Sequence, residues 1–280
     1  MNIIQQPDML SLSMNLKNFI IGSSRQTTFT LKAGDKELVS QVYAPDENGV
    51  MEIDIHEIVH SFLSYSLKDI GEVYQQTNLV ADFTAVIDST EITFRVIRSG
   101  VDRLTDSPTN FLTQNFLTWQ PNVKPVTYYS PEFLTYYAVV AGTVKLRAYF
   151  TDESGTVKSQ TDYTVTELMP GIAYTMPLQY SVVAGWLEHK LPAYYDVWVE
   201  GTSGQRLTYI QRYYAENMKS EQEQWILFEN SLGGVDTFRA YGNTVFNGEH
   251  THNIAEIDEI FSEYRVDTER KFQKNTGYLN

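Results

Sequence analysis

The chain has 280 residues, 42% hydrophobic and 20% charged, and its 35 acids against 21 bases leave a formal charge of −14. That length accommodates two domains, the composition is globular rather than disordered, and the charge repels phosphate backbones, so nucleic acid is not an expected partner. With no cysteine, disulfides, thiolate metal sites and cysteine nucleophiles are excluded.

Residues 1–105 read as one β-rich domain with a single short helix. Strands are expected at 28–31 and 36–43, around Ala33-Gly34-Asp35. Met51, Ile53 and Ile55 alternate with Glu52 and Asp54 as in a half-buried strand, and a helix follows over 55–67. Residues 80–87 and 91–98 form a further strand pair. Four of the nine prolines lie between Pro108 and Pro131, marking 106–125 as a Pro-rich strap or linker. The apolar run from Phe111 to Trp119 predicts that this strap is extended and packed against its neighbours. Residues 126–215 carry the alternation of a fibronectin- or immunoglobulin-like β-sandwich. Residues 216–280 read as a β segment, the start of a further domain that would continue past Asn280. In it Trp225-Ile226-Leu227-Phe228 suits a strand buried on both faces. Ile254, Ile257, Phe261 and Tyr264 have helical spacing, while 263–272 also alternates as strand.

One unit recurs three times: an alternating strand, an acidic turn ending in glycine, and another alternating strand. It spans 39–55 around Asp46-Glu47-Asn48-Gly49, 144–165 around Asp152-Glu153-Ser154-Gly155, and 197–213 around Glu200-Gly201-Thr202-Ser203-Gly204. Such units predict antiparallel hairpins, and several of them predict a mainly β fold of tandem sandwiches. The acidic turns Asp46-Glu47 and Asp152-Glu153 also offer carboxylates to calcium.

His56-Glu57-Ile58-Val59-His60 matches the zinc-peptidase helix signature, in which two imidazoles one turn apart hold the metal and the glutamate activates its water. Three features oppose a zinc site. Asp54 is placed to cap the helix, with Glu57 completing a capping box. No third ligand follows in Ser61-Phe62-Leu63-Ser64-Tyr65-Ser66. The buried face is Ile55, Ile58, Val59 and Phe62, with both histidines at its margin. No metal, no cofactor and no catalytic residue are therefore expected, His56 and His60 being the zinc candidates were there one. His250 and His252 read as a loop pair, and Gly233-Gly234 lacks the spacing and lysine of a phosphate loop.

The 19 tyrosines include doublets at Tyr128-Tyr129, Tyr136-Tyr137, Tyr194-Tyr195 and Tyr213-Tyr214. On a strand each doublet points one ring inward and one outward. Tyr128, Tyr136, Tyr194 and Tyr213 are the candidate contact rings, for a protein partner or a host surface glycan. Cross-strand packing is the plainer role.

Two stretches carry a resemblance: Phe111-Leu112-Thr113 through Pro121 to Tyr128-Tyr129-Ser130-Pro131-Glu132-Phe133-Leu134-Thr135-Tyr136-Tyr137, and Trp225-Ile226-Leu227-Phe228-Glu229-Asn230-Ser231-Leu232-Gly233-Gly234-Val235-Asp236-Thr237-Phe238-Arg239. They resemble uncharacterised virion structural proteins, of the tail or baseplate, carried by phages and prophages of gut anaerobes. The resemblance covers about half the chain, the second stretch being the more specific, and brings no catalytic residue with it. It implies a non-enzymatic virion component that assembles with itself and with other virion proteins. Residues 1–8 lack the features of a signal peptide, and no apolar run approaches the ~20 residues of a membrane helix. Synthesis in the host cytoplasm without membrane insertion is therefore expected. The rival expectation is a surface-recognition module using the exposed tyrosines, and a distant third is a zinc peptidase.

Overall fold

The computed structural model describes residues 1–216, 221–257 and 260–276, with side chains of 254–264 excepted. The chain is mainly β, with tandem antiparallel sandwiches and, among the described residues, three short α-helices. Residues 277–280 lie outside the described residues. Among the described residues no helix is long and apolar enough to cross a membrane.

The first sandwich is built from β1 (Asn2–Gln5), β2 (Leu10–Leu12), β3 (Phe19–Gly22), β4 (Thr27–Ala33), β5 (Lys36–Tyr43) and β6 (Val50–Ile53). The helix α1 (His56–Phe62) follows; β7 (Tyr74–Gln75) leaves for the next sandwich, and β8 (Val80–Ile87) and β9 (Thr90–Ile97) return. One sheet runs β1-β3-β6 and the other β2-β9-β8-β4-β5. Period-two apolar positions put Phe29 and Leu31, Phe83 and Ala85, and Phe94 and Val96 between the layers. Phe83 and Phe94 are register partners whose rings stack 5.9 Å apart. α1 drops Val59 into this core beside Ile55 and Leu63. It ends five residues earlier than the helical spacing predicts. Leu63 is already extended and the Ser64 amide bonds the Asn78 carbonyl, drawing the chain out of the helix.

Next come α2 (Pro108–Gln114), β10 (Val123–Val126), β11 (Phe133–Tyr137), β12 (Gly142–Thr151), β13 (Val157–Leu168), β14 (Ala173–Pro177), α3 (Tyr180–Trp186), β15 (Tyr194–Gly201) and β16 (Gln211–Ala215). The sheet β10-β16-β15-β12-β13 packs on β11-β14-β7. The expected extended strap is thus corrected: it begins as a helix, with Ser107 capping Asn110 N–H and Pro108 in the first turn. It leaves the helix at the extended Asn115, and its last residues run as β10, laid parallel to β16.

The three glycine turns share one geometry. The first turn amide bonds the carbonyl four residues on, the fourth amide bonds back, and Gly49, Gly155 and Gly204 take positive φ. Two of them close hairpins, β12–β13 and β15–β16. The first does not: β5 and β6 belong to opposite sheets, so the same turn is a crossover between layers.

By contacts the chain divides into Met1–Glu216 with Leu227–Asp236, and Asn217–Ile226 with Thr237–Asn280. β17 (Gln224–Glu229) pairs with β18 (Val235–Ala240). Ile226 and Phe228, on one face of this two-stranded ribbon, are about half exposed, so the strand is not buried on both faces. In the second unit β19 (Thr244–Ile257) and β20 (Ile260–Lys274) form a long antiparallel ribbon, which resolves the helix-or-strand ambiguity as strand. Arg239 there pairs with Glu223 and lies over the Trp225 and Tyr241 rings.

Candidate functional site

His56 and His60 stand one turn apart on α1, their ring centroids 6.2 Å apart. Asp54 Oδ1 accepts the His56 amide at 2.8 Å, and Glu57 is exposed. His60 Nδ1 lies 2.9 Å from Ser13 Oγ, and that hydroxyl also bonds the Ser99 carbonyl. Burial, with the nearby charges of Arg98 and His56, holds the His60 imidazole below its ordinary pKa. His60 is thus a link between α1 and the turn after β2. Among the described residues no three histidines, aspartates or glutamates gather where they could hold a metal. Asp46 and Asp152 direct their Oδ1 atoms at backbone amides of their own turns. His250 and His252 stand on β19 rather than in a loop, opposite Thr268 and Val266, and His250 Nδ1 is 3.1 Å from Thr268 Oγ1.

The four tyrosines singled out by doublet logic do not share a surface. Tyr136 and Tyr213 are fully buried and are corrected from contact rings to core. β11 is covered on both faces, so Tyr136 and Tyr137 both go inward. Tyr213 stacks on Tyr195 inside the second sandwich, 5.2 Å away. Tyr128 is exposed, but in a turn closed by Thr127 and Ser130, where strand alternation has no force. Tyr194 lies on the outer face of the five-stranded sheet, stacked on Tyr149 at 4.4 Å with the Arg212 guanidinium 4.5 Å from its ring. Arg212 grips the buried Asp196 carboxylate through two bonds of 2.7 and 2.8 Å. Tyr149 and Arg212 lie outside the doublets, and in the last doublet the outward ring is Tyr214 rather than Tyr213; the cross-strand register Tyr149, Tyr194, Tyr214 is what assembles them.

The densest constellation is elsewhere, where residues 98–119 meet the loop between β17 and β18. The loop between β17 and β18 and the first residue of β18 place Leu232 and Val235 in a cluster with Leu12, Leu79, Ile97, Leu112 and Leu117. Its polar groups are engaged around that plug. Asn230 Oδ1 accepts the amides of Leu232 and Gly234, and its Nδ2 donates to the Leu117 carbonyl at 3.1 Å. Ser231 accepts from the Gly100 amide at 2.7 Å and from Trp119 Nε1 at 2.9 Å. Asp236 takes the Thr118 hydroxyl at 2.5 Å and the Trp119 amide at 3.0 Å. Arg98, at the end of β9, donates to Glu229 at 3.2 Å. Gly233 and Gly234 pass so close to the carbonyls of Arg98 and Leu117 that a Cβ would sit 1.9 and 2.1 Å from those oxygens. The loop is a clasp between the two sandwiches.

Behind it Lys124 Nζ donates to Glu132 at 2.7 Å. Burial raises the Glu132 carboxyl to about 7, the Lys124 charge opposing and Asp236 adding to the rise. Among the described residues Glu132 Oε1 and the Tyr213 hydroxyl are buried without a protein partner. This is a satisfied structural pair with one loose end rather than a paired acid and base opening on a cleft.

No family model and no curated protein matches the chain. Among solved structures it is similar to a crystal structure of Salmonella alpha-2-macroglobulin reacted with methylamine, at 9% identity and a TM-score of 0.19. That match covers 98% of this chain, which spans a fifth (20%) of the other's length, and a likeness so faint carries no argument.

Proposed function

We propose that the chain is a non-enzymatic structural subunit of a phage particle, part of its tail or baseplate. The observation that carries this reading is the clasp. The two stretches whose resemblance suggests this reading form one internal joint, and their polar side chains bond backbone and side chains of the chain itself. A motif devoted to chemistry would aim such groups at a cavity; here they fix the spacing of two sandwiches, as a subunit of a regular assembly requires. The negative charge keeps unassembled copies apart in solution until an interface forms.

Mass spectrometry of particles purified from the host that carries the gene tests this reading. The peptides of this chain are expected at a fixed stoichiometry to the other virion proteins, and their absence from intact particles overturns the reading. A surface-recognition role is supported by the exposed Tyr128-Tyr129 pair, 44% and 81% accessible. Glycan-array binding that is lost on Tyr129→Ala would favour it.

A further inference from the structure

β10 and β16 lie parallel, with Lys124 beside Tyr213 in register and both side chains buried. Gln211, two residues before Tyr213, is buried on the same face of β16, while Arg212 and Tyr214 turn outward. Lys124 Nζ reaches Glu132 Oε2 at 2.7 Å, which brings that carboxyl from just before β11 to the Tyr213 side of the core. Burial lifts the Tyr213 phenol well above its ordinary pKa, and the charges of Glu132 and of Asp236 in the clasp add to the rise. Gln211 Nε2 donates to the Pro121 carbonyl at 2.8 Å, so Gln120, the residue before it, adjoins the same patch. The Gln120 amide donates to Thr118 Oγ1, the hydroxyl that bonds Asp236. Among the described residues seven buried side-chain atoms have no protein partner. Five of them belong here: Glu132 Oε1, the Tyr213 hydroxyl, Gln211 Oε1 and both polar atoms of the Gln120 side chain. Buried polar atoms in folded proteins are bonded to protein or to ordered water, and stranding one is costly.

We infer that this patch is an internal hydration site, in which one buried water bridges Glu132 Oε1 and the Tyr213 hydroxyl and a second serves the side chains of Gln211 and Gln120. The two bridged oxygens do not bond each other, and a water between polar groups held apart in this way is nearly as good as a direct bond. Tyr213 donates to the first water, and that water donates to Glu132 Oε1. Five open atoms, at about three bonds per buried water, call for about two waters. Water suits Glu132 in particular, because its carboxyl, raised to about 7, takes both ionisation states near neutrality. A molecule that donates and accepts serves the ionised and the protonated carboxyl alike, whereas a fixed amide donor serves only the first. A metal cation fits the patch poorly. The Lys124 ammonium already supplies the positive charge, and among the described residues no three acids or histidines gather to hold a metal. The bridge links the two sheets of the second sandwich directly behind the clasp.

The hydration site stands independently of the reading of the chain as a virion subunit. A high-resolution crystal structure of the whole chain tests it. A water peak is expected at about 2.5–3.0 Å from both Glu132 Oε1 and the Tyr213 hydroxyl oxygen. Direct contact between those two oxygens, or a cation with its own shell of oxygen ligands between them, overturns the inference. Tyr213→Phe supplies a second measurement whose sign decides. It removes only the hydroxyl and keeps the ring that stacks on Tyr195 at 5.2 Å. With the water in place the variant loses a satisfied bond, and its folded-to-unfolded ratio from urea unfolding should fall about fivefold. A hydroxyl stranded in a dry core would instead be a penalty that phenylalanine relieves. A ratio that rises or stays level therefore overturns the inference as well.

Discussion

Replacing Gly233 with alanine tests the clasp most directly. The residue has φ of +91°, and the added Cβ would stand 1.9 Å from the Arg98 carbonyl oxygen. A side chain in left-handed backbone costs roughly 1–2 kcal/mol. Relieving the overlap requires shifting the end of β9 or the clasp, and forced displacement of packed groups costs typically about 1–3 kcal/mol. Stiffening the unfolded chain returns about 0.4–1 kcal/mol. The net expectation is a loss of about 1–4.5 kcal/mol, measured from urea unfolding midpoints at unchanged slope. Hydrogen exchange should localise the damage, because the Gly100 amide bonded to Ser231 loses its protection when the clasp lifts. A loss below about 0.5 kcal/mol with the Gly100 amide still protected would refute the reasoning.

Three further outcomes follow from the buried charges and the histidines. Glu132 has its pKa raised from 4.5 to about 7, so its contribution to stability is complete below pH 4.5 and is lost as pH rises through 7. Glu132→Gln should flatten a slope on the order of 2 kcal/mol between about pH 5 and 8 in unfolding midpoints, and parallel wild-type and variant profiles would count against it. Arg212→Ala strands the Asp196 carboxylate, which is 3% exposed, and should lower stability by about 2–3 kcal/mol; a thermal midpoint unchanged within error would contradict this. Dialysis against zinc should leave no stoichiometric metal by elemental analysis, and His60→Ala should cost about 1 kcal/mol through the lost Ser13 bond. One zinc per chain, lost with either histidine, would reverse that assignment.

Alternation along a strand was legible wherever one face met a core and the other met water, as in Val144, Leu146 and Ala148 of β12. It failed at Tyr136-Tyr137, because β11 is enclosed on both sides and local sequence does not report what covers a strand. The acidic glycine turns were legible as turns, yet the pattern around Gly49 could not tell a hairpin from a crossover; that depends on which sheet β6 joins. α2 had a readable signal in Ser107-Pro108, masked by the apolar run after it. The clasp left only a weak trace, since a close approach of backbone to backbone looks in sequence like any Gly-Gly. Its bonding partners lie more than a hundred residues upstream, as Trp119 and Ser231 illustrate.

β7 has a consequence for how the molecule is made. It sits in the sheet of the second sandwich, Tyr74 opposite Thr175 and Gln75 opposite Tyr174, although it precedes β8 and β9 of the first. The nascent chain must therefore hold this segment unpaired while about a hundred more residues emerge from the ribosome. The seam between the two halves then stays open until residues 229–236 arrive, so the last-synthesised stretch of this body is the one that locks it.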